Sequence, residues 1–304
     1  MNTSLKFAVF GALCLIWSST WLAIKVGLES APPVTAAAVR SIIASVIIFA
    51  ILIHRRIPLP RTRRFLWLSL FLGLFQMGIP YGLIYWAEQH ITSGLTSILY
   101  STMPFTVAVL ARIILGDPLT LPKIIGILIG TLGTIVIFWG ELSVSGSDAM
   151  WGICAVLASA ICSSVSSVAV KRYARSYHPL TSISWPLLIG GVVLGIGSRL
   201  FESGQPFVWD AASIGSILYL AVFGSVVAFG LYFWIIKHVD VTVLSYQTFI
   251  IPIVACFLGW IFLGETVTIS VAIGGSMILA GIALATFRSS FPKRSAGVGF
   301  ENGH

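Results

Sequence analysis

Charge is scarce in this chain: Asp, Glu, Lys and Arg make up 9% of its 304 residues, against 57% hydrophobic residues and a mean hydropathy of +0.99. So few charges cannot coat the water-facing surface of a domain this large, which excludes an ordinary soluble fold and makes the bilayer the solvent. Cysteine is sparse too. Cys14, Cys154, Cys162 and Cys256 all lie in apolar runs with no CxxC pair, which argues against a disulfide framework and a cysteine metal site. HExxH, GxSxG, paired intramembrane aspartates and a Walker A segment are absent, against an embedded enzyme and direct ATP drive. His54, His90, His178, His238 and His304 fall in loops, at helix ends or in the tail, so neither a catalytic nor a metal site is expected. The formal net charge of +8 is spread over short loops rather than gathered on one face, which excludes nucleic acid as a partner. No cofactor is expected.

Long apolar runs are what the chain has. Ten stretches meet the length rule of about 20 apolar residues for a spanning helix. They cover residues 7–26, 34–53, 65–87, 94–115, 124–139, 151–170, 182–200, 214–236, 241–263 and 269–287. The first is read as structural rather than as a secretory signal, because a matching segment recurs near residues 155–170. With the N-terminus inside, the inner loops collect Lys6, Arg55, Arg56, Arg61, Arg63, Arg64, Arg112, Lys123, Lys171, Arg172, Arg175, Lys237, Arg288, Lys293 and Arg294. The outside keeps only Lys25, Arg40 and Arg199, together with most of the acids. That bias orients both termini inward. The tail 289–304, rich in Gly, Ser and charge, reads as a disordered cytoplasmic segment.

The chain is also written twice. A slide of 148 places Trp86 on Trp234, His90 on His238, Ser97 on Ser245 and Pro104 on Pro252. The same slide lays Leu115-Gly116-Asp117 over Leu263-Gly264-Glu265. A slide of 146 adds Ser18 on Ser164, Lys25 on Lys171, Pro33 on Pro179 and Thr35 on Thr181. Five spans per copy is an odd number, so the second copy enters from the opposite side. The expected fold is therefore all-α and integral to the membrane: ten transmembrane helices in two inverted five-helix repeats, residues 1–142 and 143–288, a signature of alternating access.

Several of these segments resemble the EamA-type members of the drug/metabolite transporter superfamily. Trp17-Ser18-Ser19-Thr20 with Lys25 is similar to that family's first-helix pattern, with Ser18 at the usual Gly. Arg40 after an Ala-rich stretch, Ala87-Glu88-Gln89 leading to Ser93-Gly94-Leu95, Met103-Pro104, and Leu263-Gly264-Glu265 continue the likeness over roughly residues 5–287. The resemblance implies a ten-helix bundle whose cavity is lined by helices 1, 3, 4, 6, 8 and 9. It implies peripheral helices 5 and 10 that often mediate dimer contacts. It also implies export of amino acids and other metabolites, or movement of nucleotide sugars, sugar phosphates and drugs.

Polar groups at membrane depth are costly and tend to be functional. Tyr81, Tyr85 and Glu88 form one helical stripe whose counterparts are the apolar Phe229, Phe233 and Ile236. Glu88 reads either as a site for a cationic group or a coupling proton, or as an interfacial acid paired with Arg40 or Lys25. Lys25 and Arg40, cations on the side that cations avoid, are expected to pair with Glu29 or Glu88, with a gate or anion site as the alternative. Asp117 and Glu265 are expected to cap the helices that follow them. Pro104 and Pro252 are the symmetric candidate flex points. Trp17, Tyr100, Ser163, Tyr232, Tyr246 and Gln247 complete the candidate lining with Tyr81, Tyr85 and Glu88. Gly126, Gly130, Gly133, Gly274 and Gly281 mark either a homodimer face or close packing within the chain. The function expected is a secondary active or facilitative transporter of small organic metabolites in the inner membrane, by export, with a passive channel and then a membrane-embedded enzyme as the alternatives.

Overall fold

The computed structural model describes residues 3–144, 146–173, 177–236, 238–239, 244 and 246–287. Among these the regular structure is helical, with no strand. A lipid core offers the backbone no water, so each spanning segment must satisfy its own N–H and C=O groups. Ten helical stretches do so: α1 (Thr3–Gly27), α2 (Pro33–His54), α3 (Arg63–Ala87), α4 (Ser93–Leu115), α5 (Leu121–Val144), α6 (Gly146–Tyr173), α7 (Pro179–Phe201), α8 (Ala211–Ile235), α9 (Gln247–Leu263) and α10 (Ile269–Phe287). Nine are long and apolar enough to cross a membrane, and α9 is a shorter apolar helix. The expected ninth run began at residue 241, and 240–243 and 245 lie outside the described residues, as does the tail 289–304.

Irregularities recur at the repeat spacing. α3 passes through a π-helical stretch at Gly73–Gly78, and α8 through another at Leu220–Val227. α4 and α9 end identically. Gly116 (φ 74°) and Gly264 (φ 64°) take the left-handed conformation that an L side chain resists. The next amide of each bonds six residues back, Asp117 N to the Ala111 carbonyl and Glu265 N to the Gly259 carbonyl. This turn explains the glycine of the Leu-Gly-acid motif. The acids do not cap the helices that follow. Glu265 instead reaches across the bundle to the start of α4, where its oxygens accept from Ser93 N at 2.8 Å, Ser93 Oγ at 2.9 Å and Gly94 N at 3.2 Å. Asp117 pairs with Lys171 at 2.6 Å. α10 is capped by its own Thr268 Oγ1, which receives Val271 N at 3.3 Å.

The prolines behave unequally. Pro104 has no N–H to give the Tyr100 carbonyl, and α4 breaks at Ser101–Thr102. Two hydroxyls satisfy carbonyls there, Ser101 Oγ to Ile98 O at 2.6 Å and Thr102 Oγ1 to Leu99 O at 2.7 Å. α9 runs unbroken through Pro252.

α5 and α10 cross in opposite directions: a Cβ on Gly126 would strike the Gly281 carbonyl, and one on Gly133 the Gly274 carbonyl. These glycines therefore serve close packing inside the chain. Polar contacts sort the helix ends into two sets. At one end Lys25 of α1 meets the α3–α4 turn, Thr35 of α2 meets Glu202 after α7, Ser93 meets Glu265, and Thr268 meets Glu141. At the other, Arg64 stacks over Tyr173 with the cation 5.7 Å from the ring centre, and Lys171 and Arg172 reach Asp117 and the Ile114 carbonyl. The first set is acidic and the second basic.

Candidate functional site

A cavity of about 460 Å³ lies between α1, α2, α3, α4, α8 and α9. α1 brings Trp17, Thr20, Trp21 and Ile24 to it, one face of a helix at spacings of three and four. The remaining walls follow the repeat. Gln76 and Gly224, Tyr81 and Phe229, Ile84 and Tyr232 are pairs 148 apart from α3 and α8. Tyr100 and Thr248, Met103 and Ile251, Pro104 and Pro252 are the same from α4 and α9. Matched positions of both copies thus meet in one space.

The walls are aromatic. Trp17 lies 6.2 Å from the Phe229 ring and 5.6 Å from Tyr232, and Trp21 lies 5.5 Å from Tyr100. Behind Tyr100, its hydroxyl donates to Ser163 of α6 at 2.9 Å, so α6 supports the wall without lining it. α2 takes the place in the lining that α6 was expected to hold, through a single side chain, Arg40.

Arg40 is the correction that matters most. It was expected to pair with a carboxylate near the membrane boundary. Instead it is buried, 5% exposed, in the cavity wall, and among the described residues no Asp or Glu lies within ion-pair distance of it. Its guanidinium carbon lies 4.4 Å from the centre of the Tyr81 ring and 5.9 Å from that of Tyr85. Such cation–π contacts give roughly 0.5–2 kcal/mol each. Its hydrogen bonds to Tyr85 Oη and Ser225 Oγ are both 3.4 Å, beyond the usual range, and Nε has no partner.

Lys25 also departs from expectation. Its ammonium donates to the carbonyls of Glu88 and Ile91, the latter at 2.9 Å, which places a cation on the C-terminal end of α3, where the helix dipole favours it. Glu88 is fully buried, both carboxylate oxygens lack a hydrogen-bond partner, and it does not line the cavity. The charges that act on it are those of Lys25 and Glu265. Of the candidate lining residues, Trp17, Tyr81, Tyr85, Tyr100, Tyr232 and Gln247 line the cavity, and the candidate flex points Pro104 and Pro252 line it too. Tyr246, 39% exposed, stands outside the lining. Trp21 and Gln76 are among the lining residues that were missed. Trp21 lies one helical turn after Trp17, and that spacing was a usable signal. Gln76 is a polar side chain within an apolar run, and its place in a π stretch has no sequence signature.

A family profile, the EamA-like transporter family, matches the chain twice, over residues 6–139 and 150–287. The chain belongs to this family. It is 30% identical to a Bacillus subtilis protein described as the uncharacterized transporter YoaV, over 92% of this chain and 96% of that one. It is 29% identical to the Escherichia coli K12 uncharacterized inner membrane transporter YedA, over 92% and 90%. An Arabidopsis thaliana WAT1-related chloroplastic protein, At3g02690, is 27% identical over 94% of this chain and 70% of its own length. A solved crystal structure shares the fold at a TM-score of 0.66, with 21% identity, covering 94% of this chain and 98% of the other.

Proposed function

We propose that this chain is a secondary transporter that carries small organic solutes across the bacterial inner membrane by alternating access, in the direction of export. It does so with ten spans in two inverted units, residues 1–142 and 143–288, and both termini in the cytoplasm. The observation that carries the reading is the cavity wall: six pairs of positions 148 apart face one space between the repeats. A site on the axis that relates two repeats is where a transporter keeps its substrate while the halves rock around it.

Inversion is supported by three further facts. Lys25 and Lys171 correspond in the repeat yet sit with the acidic and the basic set of helix ends respectively. α5 and α10 cross antiparallel. The basic set is the side that the Lys/Arg bias assigns to the cytoplasm. At the acidic end two contacts latch helix ends together, Lys25 on the α3–α4 turn and Glu265 on the start of α4. The names of the relatives above add the transporter class and, for YedA, the inner membrane.

Counterflow in proteoliposomes tests this. A saturable solute should exchange against an internal load and accumulate transiently. Flux that never saturates and shows no exchange would instead make the protein a channel.

A further inference from the structure

Resting on the reading of the cavity as a substrate site, we infer that its substrate is a small organic anion, a carboxylate on an apolar, preferably aromatic, body, and that Arg40 holds the carboxylate. Among the described residues Arg40 is the one cation of the cavity wall, and no acid lines that wall. An arginine stays charged in a protein. Rings and two long hydrogen bonds are its company here, and a buried cation so poorly matched is costly until an anion arrives. A carboxylate supplies what is absent, because two parallel N–H···O bonds fit its two oxygens.

The rest of the wall specifies the body. Trp17, Trp21, Tyr81 and Tyr100 offer ring faces and edges. Ser97 Oγ and Gln247 Oε1 are buried without partners and supply polar contacts to a hydroxyl or carbonyl on the same molecule. At about 30 Å³ per water, the cavity holds roughly fifteen water-sized groups, enough for one ring and a short acidic side chain. Cationic and zwitterionic solutes fit less well. An ammonium would enter a space that already holds an uncompensated positive charge and contains no carboxylate to receive it.

The test uses four molecules with one ring and different charge: phenylacetate, phenylacetamide, phenethylamine and phenylalanine. Each is titrated into the purified full chain in nanodiscs by calorimetry, and each is offered in counterflow. Phenylacetate should bind at least about tenfold more tightly than the amide, and the amine should bind weakest. Arg40→Gln should remove that advantage while leaving the amide within about twofold. Arg40→Lys should restore part of it, as a point charge without the fork. Arg199→Gln, an exposed arginine outside the wall, should change nothing. Tighter binding of the amine or the zwitterion, no measurable binding of phenylacetate to folded wild type, or acid binding unaffected by Arg40→Gln each overturns the inference. If Arg40→Gln fails to fold, the four-ligand ranking on wild type and Arg40→Lys decides. Phenylacetate that binds through Arg40 but does not exchange would refute transport and leave the anion site standing. Exchange led by phenethylamine or phenylalanine would do the reverse.

Discussion

The ammonium of Lys171 lies 2.6 Å from the carboxylate of Asp117, half exposed at the end of the bundle opposite Lys25, its partner in the repeat. The hydrogen bond from Lys171 holds the Asp117 carboxyl below the usual carboxylate range. A group lowered on folding stabilises the folded state above its unfolded value, about 3.9, and loses that effect as pH falls through its folded value. The pair should therefore be insensitive to pH between 5 and 8. Thermal midpoints of wild type and Asp117→Asn should run parallel over that window and converge below about pH 4. The offset should shrink in high salt, as exposed pairs do.

Lys25 makes the contrasting contact. Where Lys171 turns to a neighbouring acid in solvent, Lys25 docks on the Glu88 and Ile91 carbonyls and ties α1 to the end of α3. Under the proposed inverted repeat, corresponding cations would exchange these two roles between half-cycles. Lys25→Met removes the latch and keeps the apolar stem. A cysteine at Ser97, on the cavity wall, should then become reactive to an impermeant thiol reagent added from the periplasmic side. An unchanged labelling rate would mean that the latch does not hold that end closed.

Glu265 bonds to the start of a helix 172 residues away in sequence. Two of its three hydrogen bonds satisfy the first amides of α4 and the third takes the Ser93 hydroxyl, and a cap lost to alanine costs about 0.5–2 kcal/mol. Glu265→Ala should lower the midpoint of thermal unfolding in detergent. Glu265→Gln keeps an acceptor for Ser93 and should recover much of the loss. Equal loss in both would mean that charge on the α4 dipole, rather than the bonds, carries the effect.

What the sequence discloses about this fold depends on the range of the interaction. Spans follow from run length, and the repeat from residue spacing, so helices such as α2 and α7 appear almost where the apolar runs place them. The Leu-Gly-acid turns are local as well, and their glycines could be read. The destination of the acid is not local: Glu265 was read as a cap, correctly in kind, but nothing near it in the chain says that the helix is α4. Glu202 is the same device, unread, accepting Val34 N at 2.7 Å and Thr35 N at 2.8 Å at the start of α2. Arg40 was misplaced for a related reason. Charge bias assigns a side of the membrane, whereas depth depends on whether a neighbouring helix offers rings, and Tyr81 and Tyr85 are on α3.

Glu88 gives the last prediction. The carboxylate is wholly buried, its oxygens accept no hydrogen bond, and the ammonium of Lys25 is engaged by carbonyls. A charge held in this way is expensive, and a neutral group of the same shape often replaces such a charge at no cost to stability or with a gain. Glu88→Gln should therefore leave the unfolding midpoint equal or higher, where an ordinary ion-pair partner would lower it. Because Glu88 stands outside the cavity wall, ligand affinity should stay within about twofold. A residue retained at that cost, beside the α3–α4 turn that Lys25 latches, is suited to carry a proton through the cycle. Exchange measured across a range of external pH should then flatten in Glu88→Gln. A variant whose pH profile matches wild type would reduce Glu88 to a packing residue and place the coupling elsewhere.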